Sequence, residues 1–92
     1  MQVVVEFTAQ FKQAAQKASQ AVDVPEGTTM QSVLQSVAND LGDPLKSLLL
    51  NADSNLHASI LVFVQDEQAH WNEDHALSDG DTITLLAPIS GG

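Results

Sequence analysis

The sequence predicts an α+β fold in which one mixed sheet packs on a single main helix. Two observations carry this. Apolar residues alternate with polar ones, or run together in short β-prone stretches, near both ends of the chain and again after residue 59. Between them lies one continuous amphipathic stripe at helical spacing. The expected order is strand, strand, helix, strand, short strand, strand, with no internal repeat and no linker.

Each element has its own warrant. Val3, Val5 and Phe7 alternate with Val4 and Glu6, the pattern of a half-buried strand. Residues 8–17 are rich in Gln and Ala and read as a loop or a short helical turn. Ala18 to Val24 reads as a second strand with Val22 and Val24 on one face, ended by Pro25-Glu26-Gly27. Thr28 can then cap a helix, with Gln31 three residues on completing a capping box. Met30, Val33, Leu34, Val37, Ala38 and Leu41 fall on one helical face, and Gly42 stops the helix. Asp43 as cap and Pro44 in the first helical position can start a shorter helix that buries Leu45, Leu48 and Leu49. Ile60 to Val64 is a strong β run, and Gln65 to Gln68 reads as a hairpin turn into Ala69-His70-Trp71. Residues 72–81 form a loop anchored by Leu77, and Asp79-Gly80-Asp81 is the turn that launches a last strand from Thr82 to Ala87.

Composition narrows the function. Ninety-two residues, 43% of them hydrophobic, suit one domain. There is no cysteine, so disulfides, thiolate metal sites and a cysteine nucleophile are excluded, which fits a reducing compartment. The start, Met1-Gln2-Val3-Val4-Val5-Glu6, lacks a basic n-region and passes straight into a strand pattern, so the cytoplasm is the expected location. Twelve acids against three lysines give a formal net charge of −9. That balance argues against nucleic acid and against anionic membranes as partners. All three lysines, Lys12, Lys17 and Lys46, lie in the first half, leaving the acidic second half attractive to a basic partner surface.

The sequence closes on Gly91-Gly92, directly after an apolar run. A diglycine tail ending in a carboxylate can enter a channel too narrow for any Cβ. If that carboxylate is the working group, the last atom of the chain is its active site.

The strand and helix order, the Gly-Thr-Thr helix opening and the stretch from Leu77 through Asp79-Gly80-Asp81 and Pro88 to Gly91-Gly92 together resemble the MoaD/ThiS family of ubiquitin-like sulfur carriers. The turn at Val64-Gln65-Asp66-Glu67 is similar to the family's Val-Asn-Asp or Val-Asn-Gly turn, with Gln65 where Asn is usual. The resemblance implies a β-grasp fold, a single domain over residues 1–92 with a flexible tail at 90–92. Among the branches, Ala87-Pro88 departs from the Pro-Pro usual in the small subunit of molybdopterin synthase, and Leu56 to Trp71 looks closest to the CysO-like, cysteine-forming carriers. Molybdopterin and cysteine routes therefore rank together and thiamine third.

The resemblance also implies the chemistry. A MoeB/ThiF-like, ubiquitin-activating-type adenylyltransferase would use ATP to join Gly92 to AMP, and a sulfur donor would leave a thiocarboxylate there. The recipient would be a sulfur-accepting synthase, either the large subunit of molybdopterin synthase or a cysteine synthase-like enzyme. The chain itself would bind no cofactor and catalyse nothing. This agrees with the lack of a phosphate-cradling Gly-rich loop or a Ser-His-Asp arrangement in the sequence. Gly91 and Gly92 are the functional residues implied.

Parity along the last strands adds a surface. If Ile60, Val62 and Val64 face the helix, Leu61 and Phe63 face away; if Ile83 and Leu85 face in, Thr84 and Leu86 face out. Leu61, Phe63 and Leu86, with Pro88 and Ile89, form the expected partner-binding patch. His70, Asp74 and His75 carry metal-ligating atoms but read as exposed loop residues, so no metal site is expected. Trp71 reads as packing at a sheet edge, and Asp79 and Asp81 as serving their turn. Two other readings stand beside the carrier: a ubiquitin-like modifier joined through Gly92 to lysines, and an interaction domain whose tail is unused.

Overall fold

The computed structural model describes residues 1–87. The alternation at the start of the chain becomes β1 (Gln2–Phe7), with Val3, Val5 and Phe7 buried. It is followed by α1 (Ala9–Ala15), β2 (Ser19–Asp23), α2 (Met30–Leu41), α3 (Leu45–Leu49), β3 (Leu61–Val64), β4 (Glu67–Ala69) and β5 (Thr82–Leu86).

The five strands form one sheet in the order β2-β1-β5-β3-β4. β1 pairs antiparallel with β2 and parallel with β5, while β3 pairs antiparallel with both β5 and β4. The sheet is therefore mixed, and the two strands farthest apart in sequence lie side by side near its centre. Met30, Val33, Leu34, Val37 and Ala38 of α2 are buried in one cluster with Val3, Val5, Val62, Ile83 and Leu85 of the sheet. Each of these side chains except the smaller Ala38 contributes about 1.5–3 kcal/mol relative to exposure.

Several expectations are corrected. Residues 9–15 form a helix, α1, which buries Phe11 and Ala15, while Gln16 at φ 60° closes it with its N–H on the Lys12 carbonyl at 2.9 Å. The cap of α2 is Thr29, whose hydroxyl accepts from Ser32 N–H at 3.2 Å. Thr28 instead donates to the Pro25 carbonyl at 2.7 Å. Gln31 makes no capping box; its amide nitrogen donates to the Trp71 and Glu73 carbonyls, each at 2.6 Å, tying α2 to the loop after β4. Pro44 precedes α3, and the Asp43 carboxylate accepts from Ser47 N–H at 3.1 Å. Leu45 and Leu49 are buried as expected, but Leu48 is exposed, because a helix of five residues turns only one narrow face inward. The β3–β4 turn is shorter than expected: Glu67 and Gln68 already belong to β4, leaving Gln65 and Asp66 as the loop.

Gln65 holds that two-residue loop at φ 56°, in the left-handed region a tight hairpin requires at its first central position. Its N–H donates to the Thr82 carbonyl at 2.8 Å, and its side-chain Oε1 accepts from Thr82 N–H at 2.6 Å. The side chain thus supplies the rung that the turned-away backbone carbonyl would otherwise make. Gln65→Ala should lose that bond and keep the strained φ, destabilising the fold by about 1–2 kcal/mol. Gln65→Gly loses the bond but not the conformation, so urea unfolding should place it between wild type and the alanine variant. Equal loss in both would remove the conformational part of the argument.

Candidate functional site

The candidate site is built around β5. The turn before it is sewn to the start of β1. Gln2 N–H donates to the Asp79 carboxylate at 2.7 Å, and Gly80, at φ 86°, donates its N–H to the Gln2 carbonyl at 2.7 Å. The Asp81 carboxylate accepts from Ser78 N–H at 2.8 Å, and the Asp81 carbonyl accepts from Val4 N–H at 3.0 Å. Asp81 serves its own turn, as the sequence suggests, whereas Asp79 serves a strand 77 positions away.

This stitching fixes the register of β5 between its neighbours. Val5 pairs with Ile83 and Phe7 with Leu85 on one side; Leu61 pairs with Leu86 and Phe63 with Thr84 on the other. Ile83 and Leu85 are fully buried. On the opposite face Leu61 and Leu86 are 37% and 38% exposed and lie directly across from each other, about 5.5 Å apart at Cα. Phe63 is half-buried on the same face, flanked across the strands by Thr84 and Gln68. Thr84 donates its hydroxyl to the Glu6 carboxylate at 3.2 Å, so the apolar pair has a polar border on the β1 side. Half-buried Val4 shares this outer face through its pairing with Thr82. Gly91, Gly92, Pro88 and Ile89 lie outside the described residues.

One contributor is not legible in the sequence. Thr8, between β1 and α1, donates its hydroxyl to the Leu85 carbonyl at 2.8 Å and makes no side-chain cap for α1. It adds a tie where the β1 backbone has already turned into helix, holding the far end of β5. A threonine ahead of a helix would ordinarily be read as its cap, and the alanine-rich helix itself gives little pattern.

The remaining candidates fall elsewhere. His70 and Asp74 are exposed and His75 is half-buried, and among the described residues no group of three or more His, Asp or Glu is placed to hold a metal ion. Trp71 is half-buried just after β4, its indole N–H donating to the Asn55 side chain at 3.2 Å. Among the described residues no helix is long and apolar enough to cross a membrane.

The exposures generate a test. Leu86→Glu should change the unfolding free energy by less than about 1 kcal/mol, whereas Leu85→Glu, one residue away, should abolish folding by burying a charge. Thr8→Val should cost about 1 kcal/mol and speed hydrogen exchange in β5. A Leu86→Glu variant as damaged as Leu85→Glu would mean that the outer face is core.

A model of the ThiS family matches residues 5–92. A search of curated proteins finds no match. Among solved structures, SAMP1 from Haloferax volcanii is 25% identical with a TM-score of 0.88, the likeness covering 100% of both chains. A chain of the Amycolatopsis orientalis BexX/CysO complex is 25% identical with a TM-score of 0.72, over 98% of this chain and 99% of that one. A putative molybdopterin converting factor subunit 1 from Pyrococcus furiosus shares the fold, at 21% identity and a TM-score of 0.73, over 97% of this chain and 99% of that one. The chain belongs to the ThiS family of ubiquitin-like sulfur carriers and modifiers, and its fold is the β-grasp expected from the resemblance.

Proposed function

We propose that this member of the ThiS family is a sulfur carrier whose working group is the α-carboxylate of Gly92. The observation that supports this reading most is the family match, which continues through Gly91 to Gly92. A carboxylate is a poor electrophile, being anionic and resonance-stabilised. A ubiquitin-activating-type adenylyltransferase resolves this by letting a carboxylate oxygen attack the α-phosphorus of ATP, releasing pyrophosphate and leaving Gly92 as an acyl adenylate. Hydrosulfide from a sulfide-level donor then attacks the acyl carbon, AMP leaves with the electron pair of the broken carbon–oxygen bond, and loss of a proton gives the thiocarboxylate. ATP is thus the partner's cosubstrate, and the carrier contributes shape rather than catalysis.

The outer face of β3 and β5 would be where that partner grips the domain. Leu61, Phe63 and Leu86, continued by Pro88 and Ile89, would anchor it while the glycines enter the partner's channel. The 25% identity with a chain of the BexX/CysO complex supports docking on a second protein. The acceptor is a cytoplasmic sulfur-accepting synthase, on the molybdopterin or the cysteine route.

A second reading has its own observation. The similar structure from Haloferax volcanii is that of a protein named small archaeal modifier protein 1. Conjugation would begin from the same adenylate, with a lysine amine of another protein taking the acyl group to form an isopeptide bond. An isopeptide-linked ladder in lysate would favour this reading, and a free thiocarboxylate the carrier. Unchanged function after one residue is added beyond Gly92 would favour a domain whose tail is unused.

The deciding experiment is the intact mass of the protein after incubation with ATP, a sulfur source and extract of its host. The expected result is one oxygen replaced by sulfur, mapped to Gly92. An unmodified mass under conditions that charge a known carrier would overturn the proposal. Deleting Gly92 should abolish charging without lowering the melting temperature. Phe63→Glu or Leu86→Glu should weaken adenylyltransferase binding more than it weakens the fold.

A further inference from the structure

The two edges of the sheet are unlike. β4 is three residues long, whereas β2 presents five, Ser19–Asp23. Phe7 N–H donates to the Ala18 carbonyl at 2.9 Å, and Val24 N–H to the Met1 carbonyl at 2.8 Å. Antiparallel pairing alternates, so Gln20 and Val22 also turn their backbone groups to β1, while Ser19, Ala21 and Asp23 turn theirs outward. Among the described residues no backbone group pairs with these three, and the Ala21 carbonyl takes only the side-chain amide of Gln20, at 2.9 Å.

Alongside this open edge a groove of about 230 Å³ lies between β2 and α2. Val22, Val37 and Leu41 give it an apolar floor, Gln20, Ala21 and Asp23 complete its β2 wall, and Asp40 lines it from α2. That volume suits a large aliphatic side chain, exceeding the roughly 150 Å³ of an apolar cavity that takes up benzene.

We propose that β2 is a docking edge for an extended segment of another protein, apolar at alternate positions and flanked by lysine or arginine. Such a segment would add a sixth strand, exchanging main-chain hydrogen bonds with Ser19, Ala21 and Asp23, turning alternate side chains towards α2 and seating one of them in the groove. Its basic flank answers the acids of this edge, Asp40 on the α2 wall and exposed Asp23 at the end of β2, and no lysine is among the residues lining the groove. Lys17, just before β2, donates from its Nζ to Gln20 Oε1 at 2.7 Å, at the end of the groove away from Asp23. A second copy of the chain is a poor occupant, because it would bring a net charge of −9 against the same −9. Two strands, β1 and β5, separate β2 from β3, placing this edge about 15 Å from Leu61. Both surfaces can therefore be used at once, and this inference does not depend on the fate of Gly92.

The test is an NMR titration of the labelled full chain with a synthetic Lys-Val-Thr-Ile-Thr-Val-Lys peptide. Amide shifts and slowed hydrogen exchange are expected at Ser19, Ala21 and Asp23. Ala21→Pro removes an N–H that β1 does not use, which an edge strand tolerates, and should weaken binding at least tenfold. Asp23→Lys combined with Asp40→Lys should weaken it about three- to tenfold and reverse the preference towards a glutamate-flanked peptide. This pair keeps the question decidable if Ala21→Pro does not fold. No shifts at millimolar peptide, shifts centred on Leu61 and Leu86, or equal binding of the two peptides would overturn the proposal.

Discussion

The parallel pairing of β1 with β5 is the constraint on which the rest depends. It joins segments 77 positions apart, as the Gln2–Asp79 contact measures. Closing a loop of that length costs about 4 kcal/mol through the length-dependent part of its entropy. The bonds between Gln2, Val4 and the Asp79–Asp81 turn offset that cost at one end of the pair, and Thr8 on Leu85 does so at the other. Once β5 is seated, β3 and β4 have an edge to join, and α2 has a continuous apolar floor to cover.

That seating also determines what the outer face presents. A shift of one residue in β5 would send Ile83 and Leu85 outward and Leu86 into the core. The Asp-Gly-Asp turn therefore matters to the surface as much as to the fold. By fixing where Thr82 begins, it fixes that Leu86 meets Leu61. Gln65 fixes the same point from the β3 side, with its backbone and its side chain both on Thr82.

Much of this was legible in the sequence, for reasons particular residues make plain. The α2 stripe and the alternations of β1, β3 and β5 are read directly because their inward bulky residues are buried where their period places them, Leu41 at the end of α2 being only partly so. The outward parity of Leu61 and Leu86 followed from the same rule, but their meeting did not, since register depends on turns whose lengths are fixed in three dimensions. For α1 the sequence leaves a loop and a short helical turn both open, because its inward face is made by Phe11 and alanines, too faint an apolar signal at helical spacing. The choice of Thr29 over Thr28 as cap is decided by a long-range bridge between Thr29 and Ala76, which no local pattern encodes. Gln31 fits a local capping box by its spacing alone, while its amide reaches residues 40 and 42 positions away.

The central placement of β5 has a mechanical consequence. β1 and β5 run in the same direction, so a pull between Gln2 and Leu86 slides the two strands lengthwise past each other. Their rungs, with those between β5 and β3, then carry the load together rather than opening one after another. A domain drawn by its C-terminal end against a narrow opening is held in the geometry that best resists tearing. Traction on the last strand strains the whole centre of the sheet before any single bond can yield.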